Sequence, residues 1–338
     1  DGSNMGRNTE VAALREAFYR ERKLLAAEMR ECRKRIIRKY GSTENFYRSL
    51  KFRFVDSPGD PGLQKGYDLY RSIFTLPEES ESFEGFRRAL ELNADRELLE
   101  RFGPYRECWL FVGSEEDDEL LGGINYTAYS MPRCVKKKYD CRATLHIHYI
   151  FVRGEYRSLG IASRLLNEME RSADAWLAQS ECLRGRVFSF CEQNAPELMT
   201  SEEYFTDCLH ARIDQCDRLA WWCKKGYNRL RFNYFQPSLS EDAKACTILT
   251  LNVKQASGTQ VPALILQEHL RRFFYISVLK AHEDGTASRL VGWLGTQNRI
   301  EVEGRPAFYK RLQKSFYSSE AVTRRPLSLL FDEPNVTG

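Results

Sequence analysis

The sequence lacks the features that mark membrane-spanning, secreted and metal-binding proteins. No apolar run approaches the ~20 residues that cross a bilayer, and no secretory hydrophobic segment opens the chain. The ten cysteines include no CxxC pair, so their scatter indicates free thiols rather than a zinc site or a disulfide framework. We therefore expect a cytoplasmic protein with no membrane span and no bound metal.

The chain also lacks a strong charge of one sign. Its net charge is only +4, with 29% charged and 42% hydrophobic residues, which is an ordinary globular balance. A mild positive charge does not by itself indicate a nucleic-acid partner, and we expect none. With 338 residues, the chain is long enough to bury a large core.

What the sequence does contain is one informative stretch, residues 145–166, LHIHYIFVRGEYRSLGIASRLL. Alternating bulky residues from His146 to Val152 predict a strand, and a turn containing Gly154, Arg157 and Gly160 follows it. Apolar residues at helical spacing then predict an amphipathic helix. The free N–H groups and the dipole at a helix N-terminus favour an anion, so this turn is a candidate phosphate site.

The spacing Arg157-x-x-Gly160-x-Ala162 resembles the (Arg or Gln)-x-x-Gly-x-(Gly or Ala) signature of the GNAT superfamily, the acyl-CoA-dependent N-acyltransferases. The resemblance implies that the turn binds the pyrophosphate of an acyl-CoA, most simply acetyl-CoA, and that the preceding strand holds the pantetheine arm. The implied cofactor-binding residues are Ile150, Phe151, Val152, Arg157, Ser158, Leu159, Gly160, Ile161, Ala162, Ser163 and Asn194.

The order of predicted elements extends the resemblance over roughly residues 50–255. Three strands precede the motif, and a further strand at Arg186–Cys191, a helix at Thr206–Lys225 and two strands at Arg229–Tyr234 and Cys246–Val253 follow it. This order implies the GNAT fold, an α/β (α+β) domain with a mixed central sheet, flanking helices, and fourth and fifth strands that splay apart.

Segments outside this range predict additional helices. Residues 1–8 are expected to be a tag or disordered, and residues 9–41 to form a basic amphipathic helix, while residues 261–338 are expected to be a mainly helical cap with a flexible tail. A basic helix is compatible with a membrane or nucleic-acid arm, but we favour packing on the domain or on a second subunit, which leaves a homo-oligomer open. The run Phe273–Val278 fits a helix or a strand.

Acyl transfer to an amine requires a base, for which the sequence offers three side chains. Glu192 follows the strand that splays in GNAT proteins, and His146 lies eleven residues before Arg157, where several family members have a glutamate base. His148 shares a strand face with His146. The family's usual acid, a tyrosine, is replaced by Trp222, which leaves Tyr227 and Cys223 as substitutes.

We therefore predict an N-acyltransferase, most simply an N-acetyltransferase, that acts on a primary amine of a small molecule, peptide or protein by direct attack in a ternary complex. The alternative is a catalytically weak GNAT-fold CoA-binding module that serves as a sensor or assembly subunit. The Trp222 substitution favours this alternative, whereas the intact phosphate-binding motif favours the enzyme.

Overall fold

A computed structural model describes residues 2–114, 118–179, 185–237, 249–254, 259–280, 282, 284–304 and 306–318. Among them the strands are β1 Leu50–Val55, β2 Tyr105–Ser114, β3 Leu120–Ser130, β4 Cys141–Val152, β5 Arg186–Asn194, β6 Tyr227–Leu230, β7 Leu249–Lys254, β8 Gln260–Pro262 and β9 Arg299–Glu303. The helices are α1 Gly2–Tyr40, α2 Thr43–Ser49, α3 Gly62–Ile73, α4 Phe83–Glu91, α5 Arg96–Phe102, α6 Arg133–Tyr139, α7 Ile161–Ala178, α8 Ser201–Ala211, α9 Gln215–Lys224, α10 Ala263–Arg272, α11 Gly285–Leu294 and α12 Pro306–Phe316. A π-helix, Phe273–Val278, directly continues α10.

The strands form one mixed sheet in the order β1-β2-β3-β4-β5-β7-β6-β9-β8. Among the described strands only β4 and β5 pair in parallel, and their register runs from Cys141↔Arg186 to Ile147↔Cys191. Beyond that point β5 pairs only with β7 on its other side, while β4 continues along β3 to Val152. The predicted mixed sheet with splayed fourth and fifth strands, flanked by helices, is therefore confirmed.

Several predicted boundaries differ from the structure. The helix predicted over 206–225 is two helices, α8 and α9, because the side chain of Asp214 caps a new helix by accepting the N–H groups of Cys216 and Asp217. The sixth strand begins and ends earlier than predicted. The start of the predicted seventh strand, 246–248, lies outside the described residues.

The N-terminal helix is longer than predicted and packs on its own chain. It begins at Gly2 rather than near Thr9. Its stripe residues Val11 and Phe18 pack in one hydrophobic cluster with residues of α8, α9 and α12, and Cys32 and Ile36 in another with residues of the sheet and α7. Because these side chains are covered within the chain, the stripe gives no support to a homo-oligomer formed through it.

The C-terminal segment extends the sheet as well as covering it. Strand β9 pairs with β6, and β8 pairs with β9, so residues beyond 255 continue the strand order of the domain. Helix α10 and the π-helix bury Ile265, Leu266 and Phe274 in one cluster with Phe190 and Leu251 of the sheet. A boundary at residue 261 therefore does not separate two hydrophobic cores, and the predicted tail, 319–338, lies outside the described residues.

Candidate active site

The predicted phosphate-binding turn links β4 to α7. After β4 the chain makes a single 3₁₀ turn, Gly154–Tyr156, and Gly160 then caps α7 with φ of +81°. Ser158 also has a positive φ, +65°. Glycine adopts this left-handed conformation at no steric cost, so Gly160 lets the chain turn sharply into the helix. Ser158 and Gly160 are exposed, so the turn into α7 lies at the surface. The first N–H groups of the helix have no partner within the helix.

Arg157 lies beneath this turn. Its two terminal nitrogens donate to the carbonyl oxygens of Arg212 (2.9 Å) and Ala211 (3.0 Å), at the C-terminal end of α8. Burial, with Arg212 and Arg218 nearby, lowers the pKa of Arg157 to about 10, so the side chain is still charged at neutral pH. These hydrogen bonds join the turn to α8, a role that the sequence motif alone does not predict.

A cavity of about 410 Å³ opens beside the turn, between α1, α3 and the end of α8. Three of its lining residues are cations, Arg153, Arg157 and Arg212. Arg212 also forms ion pairs with Glu21 (2.7 Å) and Glu28 (3.0 Å) of α1. Glu21 and Glu155 also line the cavity, so arginines outnumber carboxylates by three to two and the cavity is weakly cationic. A helix N-terminus beside such a cavity suits a phosphorylated ligand.

The strand residues predicted to hold the pantetheine arm lie at the open end of β4. Pairing with β5 stops at Ile147, and the next residues, His148, Tyr149 and Ile150, are only half-buried. A bulge falls here, because Asn125 of β3 pairs with Tyr149 while Tyr126 pairs with Ile147. Main-chain groups of β4 that would face β5 are therefore available to a ligand inserted between the two strands. The opening between β4 and β5 therefore fits the pantetheine arm of an acyl-CoA.

Asn194 ends β5 on the other side of this opening. Its amide nitrogen lies 3.5 Å from Asp207 Oδ1 of α8. Asp207 in turn lies 3.6 Å from Arg218. The structure thus places Asn194 at the splayed ends of the strands, but with its side chain turned toward α8.

Glu192 and the two strand histidines come together on one face of the sheet. Glu192 Oε1 lies 3.6 Å from His146 Nε2, and the rings of His146 and His148 are 5.3 Å apart. The hydroxyl of Tyr234 and the amide of Gln236 donate to Glu192 at 2.8 and 3.1 Å. Burial raises the pKa of Glu192 to about 7, although these two hydrogen bonds oppose the rise.

The two histidines are weak bases in this setting. His146 is fully buried, and desolvation lowers its pKa to about 3. Desolvation also lowers the pKa of His148, with His146 and Lys280 adding to the effect. Both imidazoles are therefore neutral at pH 7, which suits them to hydrogen bonding rather than to accepting a proton.

A second carboxyl group, that of Glu107 on β2, lies beside His148. Glu107 Oε1 is 3.4 Å from His148 Nε2, and Thr127 Oγ1 is 2.7 Å from the same nitrogen. Burial raises the pKa of Glu107 to about 7. The same face therefore holds two carboxyl groups that ionise near neutral pH.

Tyr227, predicted as a substitute acid, lies on the opposite face. Its hydroxyl is 2.7 Å from Ser189 Oγ, and its ring packs with Trp222 among residues of the α7 side. Residues alternate along β5, so Ser189 and Cys191 point away from the face that carries Glu192. The structure thus places the Tyr227 hydroxyl on the face opposite Glu192, and its role as the acid stays a prediction.

Four residues that the sequence did not single out complete the cluster. Tyr234 and Gln236 follow β6, and His269 and Phe273 come from the C-terminal segment. Phe273 stacks on His146 with ring centroids 3.6 Å apart. The only sequence signal was a histidine on the apolar stripe of a predicted helix, a pattern that ordinarily means a core residue.

Comparison with known proteins assigns this geometry to a family. The Acetyltransferase (GNAT) family model matches residues 65–188, from α3 to β5, including both strand histidines and the whole turn. These residues form a GNAT acetyltransferase domain. The protein is thus an acyl-CoA-dependent N-acyltransferase, with acetyl-CoA or another acyl-CoA as co-substrate. Glu192, Asn194 and His269 lie beyond the matched segment.

Similar solved structures include other acetyltransferases, all at low identity. Naa50 of Arabidopsis thaliana, in complex with the bisubstrate analogue CoA-Ac-MVNAL, is 13% identical, covers 61% of this chain and 99% of its own, and has a TM-score of 0.34. The ribosomal-protein-S18-alanine N-acetyltransferase of Escherichia coli is 11% identical, with 62% and 96% covered and a TM-score of 0.35. An aminoglycoside 6'-N-acetyltransferase complexed with coenzyme A is 16% identical, with 60% and 96% covered and a TM-score of 0.33. No curated protein sequence matches the chain.

None of the described helices combines the length and apolar character that crossing a membrane requires. Within the same residues, no group of three or more His, Cys, Asp or Glu side chains is arranged to hold a metal ion.

Proposed function

We propose that the protein transfers an acetyl group from acetyl-CoA to a primary amine of a small molecule, peptide or protein, by direct attack in a ternary complex with Glu192 as general base. The observation that carries the proposal is the position of Glu192. It lies just past the last β4–β5 pair, where the strands separate, and its side chain is 16% exposed. A base at this opening is within reach of both a bound thioester and an incoming amine.

The ionisation of Glu192 suits the task. An alkylamine has a pKa near ~10 and is almost wholly protonated at pH 7, so a proton must leave before or during attack. A carboxyl group with a pKa of about 7 is half ionised at neutral pH and is a far stronger base than an exposed glutamate. When the new C–N bond forms and the C–S bond breaks, the amine proton passes to Glu192. Glu192 and Glu107 also make this face favourable to a cationic acceptor.

For the co-substrate, we propose the binding residues inferred from the motif. Main-chain groups of Ile150, Phe151 and Val152 would hold the pantetheine arm, and the N–H groups between Ser158 and Ser163 would hold the pyrophosphate. The exposed turn, the cationic cavity and the unpaired end of β4 support this assignment. Acetyl-CoA, when bound there, supplies the acyl group as a thioester. Arg157 contributes its charge from below the turn.

The alternative function, a CoA-binding sensor or assembly module, is favoured by one observation. Trp222 occupies the usual tyrosine position and is buried, and the nearby Tyr227 faces away from Glu192. A described tyrosine that does reach the cluster, Tyr234, donates its hydroxyl to Glu192. If the protein is an active enzyme without a tyrosine acid, the departing thiolate would take its proton from water.

Thiol release from acetyl-CoA with a panel of primary amines, measured from pH 6 to 9, tests the proposal. Glu192→Gln should lower kcat/KM by about 10² or more, while the Kd for acetyl-CoA in calorimetry stays unchanged. Glu100→Gln, the same change at an exposed glutamate of α5, is the matched control. Full activity of Glu192→Gln across this range would overturn the general-base assignment. Acetyl-CoA binding without thiol release for any amine would favour the sensor.

A further inference from the structure

His269 of α10 makes a direct contact with the candidate active site. Its Nε2 lies 2.9 Å from His146 Nδ1, and its Nδ1 lies 2.7 Å from Thr144 Oγ1 of β4. All three side chains are fully buried. Together with the 3.6 Å approach of His146 Nε2 to Glu192 Oε1, these contacts form a continuous row from Thr144 to Glu192.

The row is packed firmly from both sides. The rings of His146 and His269 stack at 5.2 Å, Phe190 lies 4.1 Å from the His269 ring, and Phe273 covers His146. Stacked rings that are closely packed on both sides keep their orientations. The positions of the ring nitrogens are therefore fixed, and only the hydrogens between them can be arranged in different ways.

A neutral imidazole carries one N–H, so the row has two possible hydrogen orders. In the first, Thr144 donates to His269, His269 donates to His146, and the Nε2–H of His146 faces Glu192. In the second, every donor is reversed, and the lone pair of His146 Nε2 faces Glu192, an approach that is favourable only if Glu192 donates a hydrogen. An ionised carboxylate has no hydrogen to give, so only the first order is compatible with Glu192 as a base.

We propose that His269 is a positioning residue for Glu192: it donates its Nε2–H to His146 Nδ1 and so holds His146 with its own Nε2–H directed at Glu192. The inference rests on the proposed function in one respect, the role of Glu192 as the base. His146 Nε2 has no hydrogen-bond partner within 3.5 Å among the described residues. A small closure of the 3.6 Å gap therefore gives this N–H its acceptor.

The consequence is a defined direction of change in the pH profile. A hydrogen bond donated to the ionised form of an acid lowers its pKa, so loss of a fixed donor raises it. Removing His269 should therefore move the acidic limb of kcat/KM to higher pH. The other groups that face Glu192 are Tyr234, Gln236 and Tyr149, and none of them is altered in the test.

Charged and titratable groups also surround the histidines themselves. His148, with Glu107 and Lys280 beyond it, adjoins His146, and Arg272 adjoins His269. Because burial keeps all three histidines neutral, none of them titrates across pH 6 to 9. A limb that moves in this range therefore reports on a carboxyl group.

The first measurement needs no turnover. The chain has five histidines, so a protein labelled with ¹⁵N-histidine gives few enough ring signals to assign by single substitutions. At pH 9, where Glu192 is ionised, we expect the ¹⁵N shifts of His146 to show the Nε2–H tautomer. An Nδ1–H tautomer of His146 at that pH would overturn the proposal.

The second measurement compares pH profiles of two substitutions at one position. His269→Leu should move the acidic limb upward by about one unit, which lowers kcat/KM about tenfold below the limb and leaves it near the parent value above. His269→Gln presents an N–H to His146 and a carbonyl oxygen to Thr144, so it should restore most of the shift. His282→Gln, at an exposed histidine of the same segment, is the control.

Misfolding of His269→Leu would not remove the test. Thr144→Val deletes only the hydroxyl at the far end of the row and should move the limb in the same direction by a smaller amount. The positioning role would be overturned if the acidic limb of kcat/KM fell at the same pH in the parent, His269→Leu and Thr144→Val. A wrong assignment of Glu192 as general base would give a different result. Glu192→Gln would then keep full activity, while His146 would still show the Nε2–H tautomer.

Discussion

The phosphate-binding turn and the carboxylate cluster are built in opposite ways. The turn, Arg157–Ser163, consists of consecutive residues, and its shape follows from a glycine with positive φ at the start of a helix. The cluster around Glu192 joins β4, β5, the segment after β6 and α10. Local chain geometry therefore determines the first site, whereas the second exists only when the whole sheet and its C-terminal cover are assembled.

The two sites also differ in the charge that they favour. Beside the turn lie Arg153, Arg157 and Arg212, together with the positive end of the α7 dipole. Around the cluster lie Glu107 and Glu192, which burial keeps partly protonated near neutral pH. One site thus suits an anionic co-substrate and the other a cationic acceptor that gives up a proton.

The largest effect that we expect is on the pH dependence of stability. It comes from Glu107 in the carboxylate cluster, whose buried side chain lowers the free energy of unfolding when it ionises. The folded-state pKa of Glu107 is about 7, above the ordinary value of 4.5, so the folded protein binds this proton more tightly than the unfolded chain. Its contribution to stability is then full below pH 4.5 and is lost as the pH rises toward 7. Glu107→Gln should remove this loss, worth about 3 kcal/mol between pH 4.5 and 8.

Urea unfolding of both proteins at several pH values measures the difference. The free energy of unfolding of Glu107→Gln should increasingly exceed that of the parent as the pH rises from 4.5 to 8. Glu97→Gln, at an exposed glutamate, should give a gap that does not depend on pH. Parallel stability curves for parent and Glu107→Gln would show that Glu107 is not held in its protonated form.

This contrast explains how much was predictable from the sequence. Gly160 and Arg157 were identified because a strand, a glycine turn and an amphipathic helix are each visible within a few residues. The individual strands before and after the turn were visible in the same way, whereas their arrangement in the sheet came from the resemblance to the GNAT superfamily. Glu192, by contrast, was a candidate base only because it follows the strand that splays in GNAT proteins.

The rest depended on contacts between distant residues. His269 is separated from His146 by more than a hundred residues, and no periodicity in either segment indicates that they touch. Tyr227 is close to Trp222 along the chain, but strand alternation sends its ring to the face opposite Glu192, which its sequence position alone does not show. Packing of α1 on the domain or on a second subunit was expected, but its contact with the turn was not visible in the sequence.

The second-largest effect we expect concerns α1. This helix packs against the turn, so the turn depends on a segment that is distant in the sequence. Leu25 is buried, and a Cβ added to Gly154 would lie 2.9 Å from its Cδ1, so helix and turn are in close contact. Leu25→Ala should lower the free energy of unfolding by about 2 kcal/mol, since it leaves a cavity against the turn. Chemical denaturation measures this loss.

A neighbouring leucine on the same helix provides the control. Leu24 is 57% exposed, so Leu24→Ala should change stability by less than about 0.5 kcal/mol. Equal effects of the two substitutions would mean that α1 does not rest on the turn in solution.

The smallest effect tests the turn by charge alone. Gly160→Asp and Gly160→Asn place side chains of the same shape at φ of +81°, a conformation that both residues tolerate better than most. An added Cβ would meet Tyr47 at 3.5 Å, an ordinary contact, so both variants should fold. They share the strain and the bulk, and they differ by one negative charge.

That charge has opposite consequences for the helix and for the ligand. A carboxylate at the N-terminus of α7 interacts favourably with the dipole, so Gly160→Asp should be at least as stable as Gly160→Asn. The same carboxylate repels phosphate groups at the turn, so acetyl-CoA should bind Gly160→Asp about tenfold more weakly than Gly160→Asn, or about 1.4 kcal/mol. Calorimetry at low and high salt should show this gap shrinking as ions screen the repulsion. Equal affinities at low salt would place the pyrophosphate elsewhere, even though every other feature of the turn is intact.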